Sequence, residues 1–236
     1  MAAIDLTARS FQTAFAAIKP PVPMRQVFAL AKTFRGMPID DIEKLLAWKE
    51  HKIRVGAVSI MDWDARDRKI TPVRRKALFD LYIRRHDCIN NWDLVDRSAP
   101  SVVGGYLADK PRWILDKLAR SPNTWERWTA IVSTYHFIRL NQVDDTFRIA
   151  ELMVNDAEDL VQKAVGGWVR EAGKRDPARL LAFLESHAAA MPRTMLRYTI
   201  EKLPKAKREY FMGLKAGSAA AQSEQIRTRR RLIRSD

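Results

Sequence analysis

Apolar residues recur at intervals of three and four along almost the whole chain, and this spacing constrains the fold more than any other feature. In segment 42–49, for example, Ile42, Leu45 and Leu46 follow these intervals. Proline residues stand between such segments, at or near the predicted helix starts, where the missing N–H of proline costs little. The pattern predicts an all-α protein with about ten to twelve helices of ordinary length.

A repeat with a period in the mid-thirties runs through these predicted helices. Its marker is a basic residue followed three positions later by a small or apolar one, and it occurs at Arg54, Arg127, Lys163 and Arg197. The intervals are 73, 36 and 34 residues, so the first spans two repeats, with the missing member near residues 91–92. This period is typical of an α-solenoid of HEAT-like antiparallel helix pairs, in which one set of helices lines a concave face.

The end of the chain differs in composition from the repeats. Residues 213–225 are rich in Gly, Ala, Ser and Gln, and residues 227–234 form a basic cluster. We therefore expect one HEAT-like domain over residues 1–212 and a flexible basic C-terminal arm over residues 213–236. The arm is either a segment with affinity for phosphate or a solvated terminus.

The charge of the chain points to a polyanionic partner. Lys and Arg number 42 and Asp and Glu 28, a net charge of +14, which favours DNA, RNA or an anionic membrane surface. The apolar fraction of 47% excludes wholesale disorder. No apolar window approaches the ~18 residues of a membrane span. Cys88 is the only cysteine, which excludes a disulfide scaffold. The four histidines lack metal-ligand spacing, so we expect no metal site.

The location and assembly of the protein are also predicted. Asp5 and Arg9 interrupt the N-terminus before the apolar region of a signal peptide could form, so we expect a cytoplasmic protein. We further expect a monomer that does not bind membranes. Its basic clusters, over residues 66–85, 170–179 and 202–208, fit contacts to the phosphates of double-stranded DNA.

The most unusual segment spans residues 90–97 and contains two groups suited to a cationic target. On a helix, Trp92 and Asp96 lie four residues apart and share a face. The face of an indole ring attracts positive charge, and a carboxylate stabilises positive charge that grows as a bond breaks. The alternative is structural: Trp92 belongs to the core, and Asp96 caps a helix or pairs with a nearby arginine.

Several short motifs together resemble the AlkD-like DNA alkylation repair family. They are Trp-Asp-Leu-Val-Asp at 92–96, Trp-Glu-Arg-Trp-Thr-Ala-Ile at 125–131, Gln-Lys-Ala-Val-Gly-Gly-Trp at 162–168, and Arg-Glu at 170–171. Their order and spacing are right, and the similarity spans most of residues 25–205. The resemblance implies HEAT-like repeats and a DNA glycosylase that releases positively charged N3- and N7-alkylpurines. It also implies that the base is not inserted into a tight pocket, unlike in other base-flipping enzymes.

The resemblance places the catalytic Trp and Asp of the family on Trp92 and Asp96. Asp96 would stabilise an oxocarbenium-like sugar and position or deprotonate the attacking water, while Trp92 would contact the deoxyribose or the lesion. The alkylated base is already cationic and leaves without a general acid. The implied reaction therefore needs no metal or organic cofactor.

Two family positions are occupied differently in this chain. Where the family has a functional Arg directly before Thr-Ala-Ile, this chain has Trp128, and its Arg127 stands one position earlier. Where the family has its second Trp, this chain has Gly167, and its Trp168 stands one position later. A shift of one residue turns a helical side chain by about 100°.

We expect the DNA contacts to come from six residues: Arg127, Trp128, Trp168, Lys163, Arg170 and Lys174. Two alternatives to a glycosylase stay open. One is a non-catalytic family member that binds distorted or branched DNA. The other is a HEAT-type scaffold for protein interactions, which predicts little salt-sensitive affinity for DNA.

Overall fold

The computed structural model describes residues 5–214, and within this range the regular structure is helical. Fourteen α-helices lie in this part of the chain, and a π-helical turn (Pro100–Gly104) and a 3-10 turn (Leu107–Asp109) follow α6. The α-helices are α1 (Ala8–Ala16), α2 (Met24–Thr33), α3 (Ile39–Leu46), α4 (His51–Ala65), α5 (Pro72–Arg84), α6 (Trp92–Ala99), α7 (Trp113–Ala119), α8 (Thr124–Ser133), α9 (Tyr135–Ile138), α10 (Asp144–Leu152), α11 (Asp159–Arg175), α12 (Pro177–His187), α13 (Arg193–Ile200) and α14 (Lys205–Gly213). The all-α prediction is confirmed.

The helices form two layers, as the repeat predicts. The inner layer runs α2, α4, α6, α8, α11 and α13, and each of these helices packs against the next. The outer helices α1, α3, α7 and α10 each pair with the inner helix that follows them in the chain, whereas α12 packs against α11, the inner helix that precedes it. This arrangement of stacked antiparallel pairs is an α-solenoid. The predicted C-terminal arm lies, from residue 215 onwards, outside the described residues.

The repeat marker identifies the inner layer. Arg54 and Arg127 are each the fourth residue of their helix, and Lys163 and Arg197 are each the fifth. The missing member, expected near residues 91–92, coincides with the start of α6. Because the marker residue lies at nearly the same position on successive inner helices, the residue that follows each marker also does. These following residues form one row of the site described below.

Local capping explains where several helices begin. Thr71 accepts a hydrogen bond from the N–H of Arg74, and Pro72 is the first residue of α5. Asp176 caps α12 in the same way, with Pro177 as the first helical residue. A side-chain oxygen at this position pairs a backbone N–H that has no partner inside the helix. The prolines therefore mark helix starts, as the sequence predicts.

Two inner-layer glycines allow helices to approach closely. A Cβ atom added to Gly166 of α11 would lie 2.4 Å from the carbonyl oxygen of Met195 in α13. A Cβ atom on Gly104, just after α6, would lie 2.3 Å from the carbonyl oxygen of Ser133 in α8. Both distances are too short for a side chain, so only glycine fits at these crossings. The inner helices consequently lie close together where the candidate site forms.

A buried polar network ties α5 to α8. The hydroxyl groups of Tyr82 and Thr129 lie 3.0 Å apart, and Nε2 of His86 lies 3.0 Å from the same Thr129 oxygen. Burial raises the pKa of Tyr82 and lowers the pKa of His86 to about 4. His86 is therefore neutral at pH 7, and the network holds Thr129, the chain neighbour of Trp128. Among residues 5–214, no helix combines the length and the apolar character that crossing a bilayer requires.

Candidate functional site

A groove of 410 Å³ lies on the inner layer, between α6, α8, α11 and α13. One row of its residues comes from corresponding places on these helices: Asp96, Trp128, Ala164 and Tyr198. In the three helices that carry the marker, the row residue directly follows the marker. The remaining lining residues are Tyr135, Lys163, Gly167, Trp168, Arg170 and Glu171.

Asp96 is the carboxylate at the α6 end of this row. Its side chain is exposed, and its Oδ1 accepts a hydrogen bond of 2.8 Å from Nε1 of Trp128. The surrounding protein displaces part of its hydrating water and raises its pKa, although the indole hydrogen bond opposes the shift; the nearby charge of Asp93 adds to it. Within residues 5–214, no Lys, Arg or His lies within ion-pair distance of Asp96. The structural alternative, a carboxylate paired with a nearby arginine, is therefore wrong.

The indole beside Asp96 belongs to Trp128 and not to Trp92. Trp92 is the first residue of α6, its side chain is 54% exposed, and it is outside the lining of the groove. The alternative that placed Trp92 in the core is wrong because half of the ring faces solvent. Trp92 lies one turn before Asp96, so its predicted contact with a nucleotide stays a prediction.

Arg127 does not face the groove, and the expectation that it contacts DNA there is wrong. Its Nε donates to Asp156 Oδ2 at 2.6 Å, and both side chains are largely buried. Nη1 of Arg127 also donates to the carbonyl oxygens of Ser121 and Pro122. Because neighbouring helical side chains point about 100° apart, Trp128 takes the direction into the groove, and Arg127 instead anchors the loop before α11.

Trp168 lies in the groove despite its shift by one residue from the family position. Its ring centroid lies 4.8 Å from that of Tyr135. The adjacent Gly167 also lines the groove, and no atom lies within 4 Å of the place where its Cβ would be. A larger residue at 167 would occupy this open space, so glycine widens the groove at α11.

Sequence reasoning missed Tyr135 and Tyr198, which line the groove with Trp128 and Trp168. The repeat could have identified Tyr198, because it directly follows the marker Arg197, as Trp128 follows Arg127. No sequence pattern could have identified Tyr135, since it lies on the single helical turn α9, which is outside the repeat pattern. The groove thus combines four aromatic rings with two carboxylates, Asp96 and Glu171, and two basic side chains, Lys163 and Arg170. The faces of the aromatic rings attract cations.

The basic residues predicted to contact DNA have carboxylate neighbours. Lys163 lies 2.5 Å from Asp159, which raises the lysine pKa, and Arg170 pairs with Glu201. Lys174 lies 2.7 Å from Glu171 and, unlike the other two basic residues, is outside the groove lining. The pairs of Lys163 and Lys174 lie at the surface and contribute little to stability. The contacts of these residues with DNA stay predictions.

Comparison with known proteins gives the family. No curated protein matches the chain. The family model described as DNA alkylation repair enzyme matches residues 17–203, which includes every helix from α2 to α13 and all residues of the groove. The match covers well over half of the chain and agrees with the helical architecture. The chain therefore belongs to the DNA alkylation repair enzyme family.

Proposed function

We propose that the protein is a DNA N-glycosylase that hydrolyses the glycosidic bond of positively charged N3- and N7-alkylated purines in double-stranded DNA. The family supports the broader role in DNA repair and an interaction with DNA. The observation that carries the finer proposal is the environment of Asp96. It is a solvent-accessible carboxylate without an ion-pair partner among the described residues, in a groove that four aromatic side chains also line.

The groove suits a substrate that carries its positive charge from the start. An alkylated purine is cationic, and aromatic faces such as those of Trp168 and Tyr135 attract cations. As the glycosidic bond breaks, positive charge moves to the sugar, where Asp96 stabilises it and accepts a proton from the attacking water. The hydrogen bond from Trp128 holds the carboxylate in place without neutralising it.

The proposal includes a pH dependence. Asp96 acts in its ionised form, and the surrounding protein, which displaces part of its hydrating water, raises its pKa. As the pH falls, the carboxylate becomes protonated earlier than an ordinary aspartate, so the rate declines on the acid side from a higher pH.

The experiment measures the release of 3-methyladenine and 7-methylguanine from methylated duplex DNA. We expect Asp96→Asn to reduce release by at least about 100-fold, since it removes the charge that stabilises the transition state. The matched control is Asp40→Asn, the same chemical change at an exposed position on α3. No release by the unaltered protein, under conditions where a known glycosylase is active, contradicts the proposal.

A second candidate function is binding of distorted or branched DNA without catalysis. The observation that favours it is the occupancy of the family positions, with Trp128 in place of Arg and Gly167 in place of Trp. Gel shifts with branched and linear duplexes, run beside the excision assay, distinguish the two functions. Binding that prefers branched DNA, without base release, supports the second candidate. Little salt-sensitive affinity for either DNA supports a protein-interaction scaffold instead, and a steep salt dependence counts against it.

A further inference from the structure

A second cavity, of 630 Å³, lies beside α9 at the edge of the solenoid. Tyr135 of α9 lines the groove described above, whereas the next residue, His136, lines this cavity. The N-terminal part of α5 forms one wall, and the segment from Gly105 to Lys110 forms another. We call this cavity the α5–α9 cleft. Its principal polar residues are Arg75, Lys76, Asp109, Lys110 and His136.

Arg75 and His136 converge over Gly105. A Cβ atom on this glycine would lie 3.5 Å from Nη1 of Arg75, 3.5 Å from Cε1 of His136 and 3.6 Å from its Nδ1. The absence of a side chain at 105 thus leaves a space bounded by a guanidinium and an imidazole. Both groups donate hydrogen bonds to oxygen anions.

Arg75 has little to occupy its donors inside the protein. Its one side-chain hydrogen bond within residues 5–214 is a long one, 3.3 Å from Nη1 to the carbonyl oxygen of Ala65. In the same part of the chain, no carboxylate lies within ion-pair distance of this guanidinium, and no hydrogen bond involves the ring of His136. Several donors therefore face the cleft without a partner of opposite charge.

Arg75 is the lining cation without a carboxylate partner among the described residues. Lys110 lies 2.5 Å from the exposed Asp109, and Lys76 lies 2.5 Å from Asp80, which is outside the lining. Burial lowers the pKa of His136, and the charges of Arg139, Arg75 and Arg112 lower it further. Three guanidinium groups thus act on one imidazole, and one of them, Arg112, is paired with Asp145.

We propose that the α5–α9 cleft binds a phosphate group, with Arg75 as the principal ligand and Lys110 and His136 as supporting donors. A planar guanidinium matches two oxygens of a phosphate, and the Lys110 ammonium and the His136 imidazole supply further N–H donors. The volume of 630 Å³ leaves room for more than a phosphate ion, so the phosphate group of a larger molecule also fits. Two sources share this chemistry: the backbone of a DNA strand, and a free phosphorylated small molecule.

The test uses the full chain and pyrophosphate as the probe. Titration is followed by NMR at the backbone amide of Gly105 and the imidazole of His136, and by calorimetry. We expect both signals to move, and we expect Arg75→Gln to weaken binding about tenfold, as for the loss of one charge-assisted hydrogen bond. Lys110→Gln is the second variant, for use if Arg75→Gln does not fold.

Lys117→Gln is the matched control, since Lys117 is exposed on α7 and outside the cleft. Equal weakening by Arg75→Gln and Lys117→Gln, or a titration that leaves the Gly105 and His136 signals unchanged, overturns the proposal. Displacement of pyrophosphate by unmodified duplex DNA supports the backbone as the source. Binding of adenosine monophosphate that duplex DNA does not displace supports a free ligand. Asp96→Asn is expected to leave pyrophosphate binding unchanged, so the proposal stands or fails independently of the glycosylase.

Discussion

The buried imidazole of His86 makes the stability of the helical core depend on pH. Its side chain lies between α5 and α8, and burial lowers its pKa from the usual 6.5 to about 4. The carboxylates of Glu126 and Asp87 favour the charged form but do not outweigh the loss of hydration. Between these two pKa values the unfolded chain binds a proton that the folded protein does not. The free energy of unfolding therefore falls as the pH falls from 6.5 to about 4.

The magnitude follows from the size of the shift. Each unit of pKa difference corresponds to about 1.4 kcal/mol, so the complete penalty is about 3 kcal/mol once the pH is below both pKa values. Between pH 7 and pH 4.5 the expected loss is about 2 kcal/mol. Domains of this kind have a total stability of about 5–15 kcal/mol, so this single histidine has a measurable effect.

The assay is urea unfolding at several pH values for the unaltered protein and for His86→Gln. Glutamine retains a side-chain amide that can reach the hydroxyl of Thr129 but does not titrate. Carboxylates distant from residue 86 titrate equally in both proteins and cancel in the comparison. We expect the unaltered protein to lose about 2 kcal/mol more than the variant between pH 7 and pH 4.5. Parallel curves of unfolding free energy against pH would refute the reasoning, as would an imidazole NMR titration of His86 near pH 6.5.

Two further predictions concern helix packing beside the groove and a buried ion pair. Gly166→Ala is expected to lower the free energy of unfolding by about 2 kcal/mol, because the new methyl group would lie 2.4 Å from the Met195 carbonyl oxygen. Gly167→Ala is expected to raise it by up to about 1 kcal/mol, because the space is open and alanine favours a helix. Equal melting temperatures of these two variants would contradict the close approach of α11 and α13. Arg127→Met is expected to destabilise the protein by about 3 kcal/mol in urea unfolding, since it leaves the largely buried Asp156 without its partner. An unchanged urea midpoint would show that this ion pair has no structural role.

The sequence by itself determined the helical architecture and the inner layer. Apolar spacing, proline at helix starts and side-chain caps all act within a few residues along the chain, so they can be read without knowledge of distant contacts. The repeat also predicts the inner layer from sequence, because successive helix pairs pack in equivalent ways. The marker residues Arg54, Arg127, Lys163 and Arg197 therefore occupy equivalent positions on the inner helices. The family motifs led to the same fold and to Asp96 as the candidate carboxylate.

Only the tertiary structure decided which side chains meet. The direction of a helical side chain changes by about 100° with each residue, so a motif shifted by one position has no certain orientation until its helix is packed. Packing turned Arg127 towards Asp156 and placed Trp128 against Asp96, although the two residues are neighbours in the chain. The groove depends equally on how closely adjacent helices approach, and this spacing arises from contacts between residues far apart in the sequence. Tyr135, on a helical turn without any repeat signal, enters the groove for that reason alone.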